Sequence, residues 1–165
     1  MRRMTRIAVA ATLLSATLVI GWASPSSADG ATQVSGLGLP GAPGAAPCDD
    51  AEYADAHYAI GMVGDLEGCI YGYITDYRFH PSGTYQEYAE EIFVGSYGSL
   101  SGTFELTEFF TAKFDADGNP VWGRCKHPIV TGSGTGDFAG LTGRLDFKDD
   151  IEAGSAPYKG HLRFG

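Results

Sequence analysis

Glu108 is the first residue whose position suggests chemistry. In "GTFELTEFFTAKF" (residues 102–114), Phe104, Leu106, Phe110, Ala112 and Phe114 alternate with Thr103, Glu105, Thr107, Thr111 and Lys113. That period of two is a half-buried strand, and Glu108 falls on its apolar face. An inward carboxyl there would lose its water and hold its proton to a higher pH, usable as a general acid or base. The competing reading is a bulge that turns Glu108 out to solvent, and bulges are common in barrels. Of the adjacent Glu90 and Glu91, only one can face inward.

Cys125 and His127 share one face of a second strand, with Trp122 and Arg124 on the other. Two positions apart on a strand they sit roughly 7 Å from one another, too far for a nucleophile–base hydrogen bond. A disulfide cysteine beside a hydrogen-bonded histidine is the expected reading. The strand "CIYGYITDYRF" (69–79) carries Tyr71, Tyr73 and Tyr77 on its odd face and Ile70 and Ile74 on its even face. A strand apolar on both sides needs a dry neighbour on each: a core, plus a covering segment, a partner or a ligand. Tyr71, Tyr77, Phe110 and Trp122 are the aromatic candidates to pack on a ligand, and Tyr73 is a third candidate for moving protons beside Glu108 and His127. As core and interface filler the tyrosines would need no ligand.

The stretch "TGSGTGDFAGLTG" (131–143) contains Gly134-x-Gly136-x-x-Ala139, a form of the dinucleotide fingerprint. That fingerprint requires a sustained helix after the glycines, and here Gly-Leu-Thr-Gly and an alternating strand follow. No phosphate-loop Lys-Ser/Thr is present either. The glycines suit a tight crossing with positive-φ positions or close backbone approach. "DADGN" (115–119) is a hairpin loop rather than a calcium loop, and no cysteine spacing fits zinc. Neither a metal nor a cofactor is expected.

The elements that must position these residues are strands. Besides 102–114, strands are expected near 57–63, 69–79, 84–94 and 121–130, and over "GRLDFK" and "YKGHLRF". The one helix expected is short, around Asp49–Ala56, capped by Asp49. The fold class is therefore all-β, a barrel or sandwich, with strand 69–79 favouring a barrel with something inside.

Met1–Arg6 is basic, Ile7–Ala28 carries no charge, and Ser26 and Ala28 satisfy a small-residue cleavage site. Residues 1–28 thus form a signal peptide and the product is expected outside the cell. Residues 29–50, rich in Gly, Ala and Pro, are expected to be a flexible linker before a domain over 51–165. Beyond residue 28 the chain has eight Lys and Arg against 20 acids, a formal charge of −12. That excludes nucleic acid and anionic membrane as partners. Export puts Cys48, Cys69 and Cys125 in an oxidising compartment. Cys69–Cys125 is the expected disulfide, since both lie in strands while Cys48 lies in the linker.

"GSGTGDFAGLTGRLDF" resembles the Gly-x-Gly-x-Phe-x-Gly-x-x-Gly segment of allene-oxide-cyclase-type and dirigent-like β-barrels, and bacterial domains of unknown function with that fold. "GTYQEYAEEIF" and "GTFELTEFF" fit the same pattern, so the resemblance covers roughly residues 57–164. It implies a calycin-like closed antiparallel barrel of eight strands whose lumen holds an apolar molecule. Gly134, Gly136, Phe138, Gly140 and Gly143 match as barrel-building residues, and the plant cyclase's catalytic positions have no match. The first expectation is a secreted barrel binding a small apolar or aromatic ligand. The second is a cofactor-independent isomerase or cyclase using Glu108, Tyr73 or His127. The third is a secreted interaction protein that self-associates through an exposed aromatic face.

Overall fold

The computed structural model describes residues 30–165, so the expected signal peptide lies outside the described residues. Eight antiparallel strands follow one another in chain order: β1 (Thr32–Gly41), β2 (Tyr58–Gly64), β3 (Leu66–Phe79), β4 (Thr84–Tyr97), β5 (Leu100–Phe114), β6 (Pro120–Pro128), β7 (Thr142–Lys148) and β8 (Ala156–Arg163). β8 pairs back onto β1, from Thr32 opposite Leu162 to Gly38 opposite Ala156, and closes the barrel. Closure leaves no unpaired edge, and the alternation read in the sequence becomes a division between lumen and outside.

β1 lies within what the sequence suggested was a flexible linker, and that expectation is corrected. Its own apolar surface is small, which is why composition misled. The missing volume comes from the neighbouring strands: a Cβ on Gly36 would lie 2.6 Å from the ring of its register partner Tyr158, and one on Gly38 2.9 Å from Phe147. Glycines in β1 make room for large side chains of β7 and β8, and Val34 completes the packing.

The two-sided strand is explained by a bulge and a cover. The β3–β4 register shifts between Ile74 and Asp76. Before it, Ile70 and Ile74 face the lumen; after it, Tyr77 and Phe79 do, paired with Glu87 and Tyr85. On the outer face of β3, residues 45–56 fold over Cys69 and Tyr71. Tyr53 stacks on Tyr71 at 4.6 Å, and Cys48 is disulfide-bonded to Cys69. A 3-10 turn over Ala51–Tyr53 replaces the expected helix, and its cap is Asp50, which accepts from the Glu52 N–H. The disulfide corrects the expected Cys69–Cys125 pairing. Cys69 points out of the barrel and Cys125 into it, so the sheet separates them, and Cys125 is a free buried thiol.

The glycine-rich segment folds across one end. A 3-10 turn over Gly136–Phe138 inserts Phe138 between Phe93 and Phe104, with ring centroids 6.1 and 5.4 Å away. Asp137 accepts from the Ser101 N–H and Thr135 donates its N–H to the Thr103 carbonyl, fastening the segment to β5. A Cβ on Gly134 would lie 1.8 Å from the Phe138 carbonyl, and Gly143, at φ +145°, would place one 2.0 Å from the His161 carbonyl. Gly136 (φ +58°) and Gly140 (φ +78°) adopt the left-handed turn conformation.

Two outcomes follow. Non-reducing peptide mapping should find Cys48 linked to Cys69, with Cys125 alkylated only after denaturation. Removing the bridge, which spans 21 residues, should cost about 3 kcal/mol in chemical unfolding. Gly143→Ala should cost about 2 kcal/mol or more by the same measurement, because the added methyl meets backbone.

Candidate functional site: a buried proton-holding cluster in the lumen

The lumen has two halves. Towards the Phe138 plug it is packed solid by Leu66, Phe93, Phe104, Leu145, Tyr158 and Leu162. Towards the opposite mouth the cross-strand register places Glu91, Glu108, Cys125 and His127 on inward positions of β4, β5 and β6. Tyr58, at the start of β2, reaches this layer because its partner is Gly72. A Cβ there would lie 2.0 Å from the tyrosine ring. The absence of one side chain on β3 therefore positions the hydroxyl from β2.

That hydroxyl bridges two carboxyls. Tyr58 Oη lies 2.8 Å from Glu91 Oε1 and 3.0 Å from Glu108 Oε2. Glu91 Oε2 in turn lies 2.5 Å from His127 Nδ1, with both side chains fully buried. Tyr58 has one proton and two acceptors beside it. If it donates to Glu91, its second bond requires a proton on Glu108. Electrostatics agree with this count. Burial, reinforced by the Glu91 charge, pushes the Glu108 carboxyl up to about 7. Burial, together with Glu91 and Glu108, pushes the Tyr58 hydroxyl far above its usual range. Burial alone would lower the His127 imidazole, but Glu91 beside it outweighs this and holds it above its ordinary value. The ring packs on Phe147 at 4.7 Å, and its Nε2 has no hydrogen-bond partner among the described residues.

A cavity of about 240 Å³ opens above the cluster, walled by Tyr58, Ile60, Glu108, Phe110, Cys125 and Phe147. Glu87 and Asp149 stand in the same cavity. Glu108, Cys125 and His127 offer donor atoms within 4.8 Å of one another, the set that could hold a metal. Their chemistry favours protons instead. Burial and the two glutamates hold the proton on Cys125 and Glu108 is bonded to Tyr58, so a metal would have to displace both to join the His127 Nε2 that Glu91 leaves free.

The candidates from sequence divide by the face they occupy. Glu108, His127 and Phe110 meet in the lumen, and Tyr77 faces inward at the mouth, beyond the bulge. Three others are corrected. Tyr73 lies on the outer face of β3, where its hydroxyl donates to Asp55 at 3.2 Å. Tyr71 is sealed under the covering segment. Trp122 is on the outside of β6, with the Arg124 guanidinium 5.7 Å over its ring. Their residue types fit a ligand site, but the pleat turns them away. Tyr58 was missed because only the β2–β3 register reveals that it faces a glycine. Glu91 was present in the sequence as one of two adjacent glutamates.

Since the Glu108 pKa is raised above its unfolded value of 4.5, its favourable contribution is complete below that pH and is lost as pH rises through about 7. Glu108→Gln keeps a neutral side chain at every pH. Its unfolding free energy should therefore rise relative to the unsubstituted protein by about 3 kcal/mol between pH 4.5 and 7.5. A difference that stays flat across that window would mean Glu108 is not held neutral.

Among curated proteins none matches this chain. A family model described as "Protein of unknown function (DUF3224)" matches residues 42–160, from just after β1 into β8. The chain belongs to the DUF3224 family.

Proposed function

We propose that this protein binds a small, largely apolar molecule in the open half of its barrel, with the neutral carboxyl of Glu108 as the polar anchor. The observation that carries this reading is an apolar cavity of about 240 Å³ with a buried, hydrogen-bonded carboxyl in its wall. A lumen built only for stability would be packed through, as its other half is. Leaving space beside a desolvated carboxyl costs stability that a ligand can restore. The likeness of residues 134–143 to ligand-holding barrels supports the same reading. So does the basic-then-apolar start of the chain, which together with the Cys48–Cys69 disulfide supports export to an oxidising compartment.

A second reading is cofactor-independent isomerisation or cyclisation. It is favoured by the chain Glu108–Tyr58–Glu91–His127, in which the Glu108 carboxylate can take a proton from one carbon of a bound molecule and return it to another while Tyr58 stays bonded beside it. A general acid with its pKa near 7 is matched to neutral pH.

The binding reading is tested with a neutral solvatochromic dye and by native mass spectrometry of the exported protein. Saturable binding should be abolished by Ala156→Phe, which fills the cavity from β8 while circular dichroism reports an intact barrel. Dye binding that survives this substitution overturns the lumen as the site. For the second reading, solvent deuterium should enter a bound β,γ-unsaturated ketone with an apparent pKa near 7, and Glu108→Gln should slow this at least a hundredfold without weakening binding. Unchanged exchange in that variant would leave the protein a binder.

A further inference from the structure

We propose that the ligand of this lumen is an organic cation, a hydrophobic amine or quaternary ammonium, recognised by carboxyls in the cavity and by aromatic faces at its mouth. This rests on the lumen being a ligand site and adds the ligand's chemical class.

Every ionisable side chain with a carboxyl or basic group in the cavity wall is an acid: Glu87, Glu108 and Asp149. Gly123 makes room for the last of these, because a Cβ there would lie 1.9 Å from Asp149 Oδ2. His127 faces inward and is paired with Glu91, and the other basic residues of the neighbouring strand segments do not answer the cavity acids. Arg124, Lys126 and Lys148 alternate with the inward Cys125, His127 and Phe147 and are exposed outside the barrel. Lys113 is drawn to the Ser82 carbonyl. Glu87 is about nine-tenths buried, and its one hydrogen-bond partner among the described residues is the neutral Tyr85 hydroxyl.

The aromatic component begins where the carboxyls stand. Phe110 lines the cavity and meets Tyr85 edge-on at 6.2 Å. Tyr85 continues to Tyr77 at 6.2 Å, Phe79 at 6.3 Å and Phe114 at 6.5 Å. The bulge near Thr75 puts Tyr77 and Phe79 on the inward side of the sheet, yet they remain 67% and 58% exposed. The lumen therefore extends outward as an aromatic lip with open ring faces.

Rings and carboxylates together have one class of ligand in common. Ring faces attract cations, carboxylates attract them more strongly, and the apolar walls accept the hydrocarbon attached. A neutral molecule of the same shape fills the apolar walls but gives Glu87 and Asp149 nothing in return for their lost water, so it binds more weakly than a cation, and an anion would be repelled.

The test uses the exported chain with its disulfide, followed by amide NMR shifts, and three benzyl probes: benzyltrimethylammonium, its neutral carbon isostere neopentylbenzene, and the smaller anion phenylacetate. The cation should bind about tenfold or more tightly than the neutral isostere, with no binding of the anion. Glu87→Gln should remove most of that preference while leaving neopentylbenzene unchanged, and Tyr85→Leu should weaken the cation alone. Equal binding of cation and isostere overturns the cation assignment and leaves the lumen site standing. Binding of none of the three overturns both. A cation preference that neither Glu87→Gln nor Asp149→Asn alters places the cation outside the cavity and also overturns the assignment.

Discussion

The pairing of β8 with β1 is the constraint from which the rest follows. Without it the sheet has two open edges, water reaches the inner face, and no carboxyl there is desolvated. With it, the inward positions share one closed volume. The strand that performs the closure is among the least apolar in the chain. β1 serves because its glycines accept Tyr158 and Phe147 from the adjoining strands β8 and β7, so the apolar surface that orders it belongs to other strands. Closure and core packing are therefore a single event.

Inside, the closed volume is used in two ways. At one end Phe138 and the rings it meets exclude water and supply hydrophobic stabilisation. At the other, four polar side chains are linked by hydrogen bonds that are short of protons: Tyr58 has one to give and two carboxyls to face. Such a cluster costs stability compared with an apolar core of the same volume. What it provides is a carboxyl held neutral beside an open cavity. The packed half sets the position of the polar half, since the same strands β2 to β6 pass through both.

Much of the architecture was legible because it depends on local pattern. The alternation in 102–114 placed Glu108 on the apolar face, and the absence of a helix after Ala139 removed the nucleotide reading. The structure adds that those glycines form the crossing that carries Phe138. The reading failed where two distant segments had to be seen together. Cys48 and Cys69 meet because residues 45–56 fold over the outside of β3, and β1 orders against side chains more than a hundred residues away. Tyr71, Tyr73 and Tyr77 seemed to share a face, and a single bulge moved Tyr77 to the other.

What the sequence determined by itself was the kind of residue at each inward or outward position: strands with a period of two, a glycine crossing, and one acid on an apolar face. Those are properties of the chain's immediate neighbourhood, fixed by the pleat. Tertiary structure alone decided which inward groups share protons and which cysteines bond. It also decided where the lumen stays open, because each of these depends on register between strands and on where a bulge resets it. A shift of one residue in that register would turn Glu108 to solvent and dissolve the site while leaving every local pattern intact.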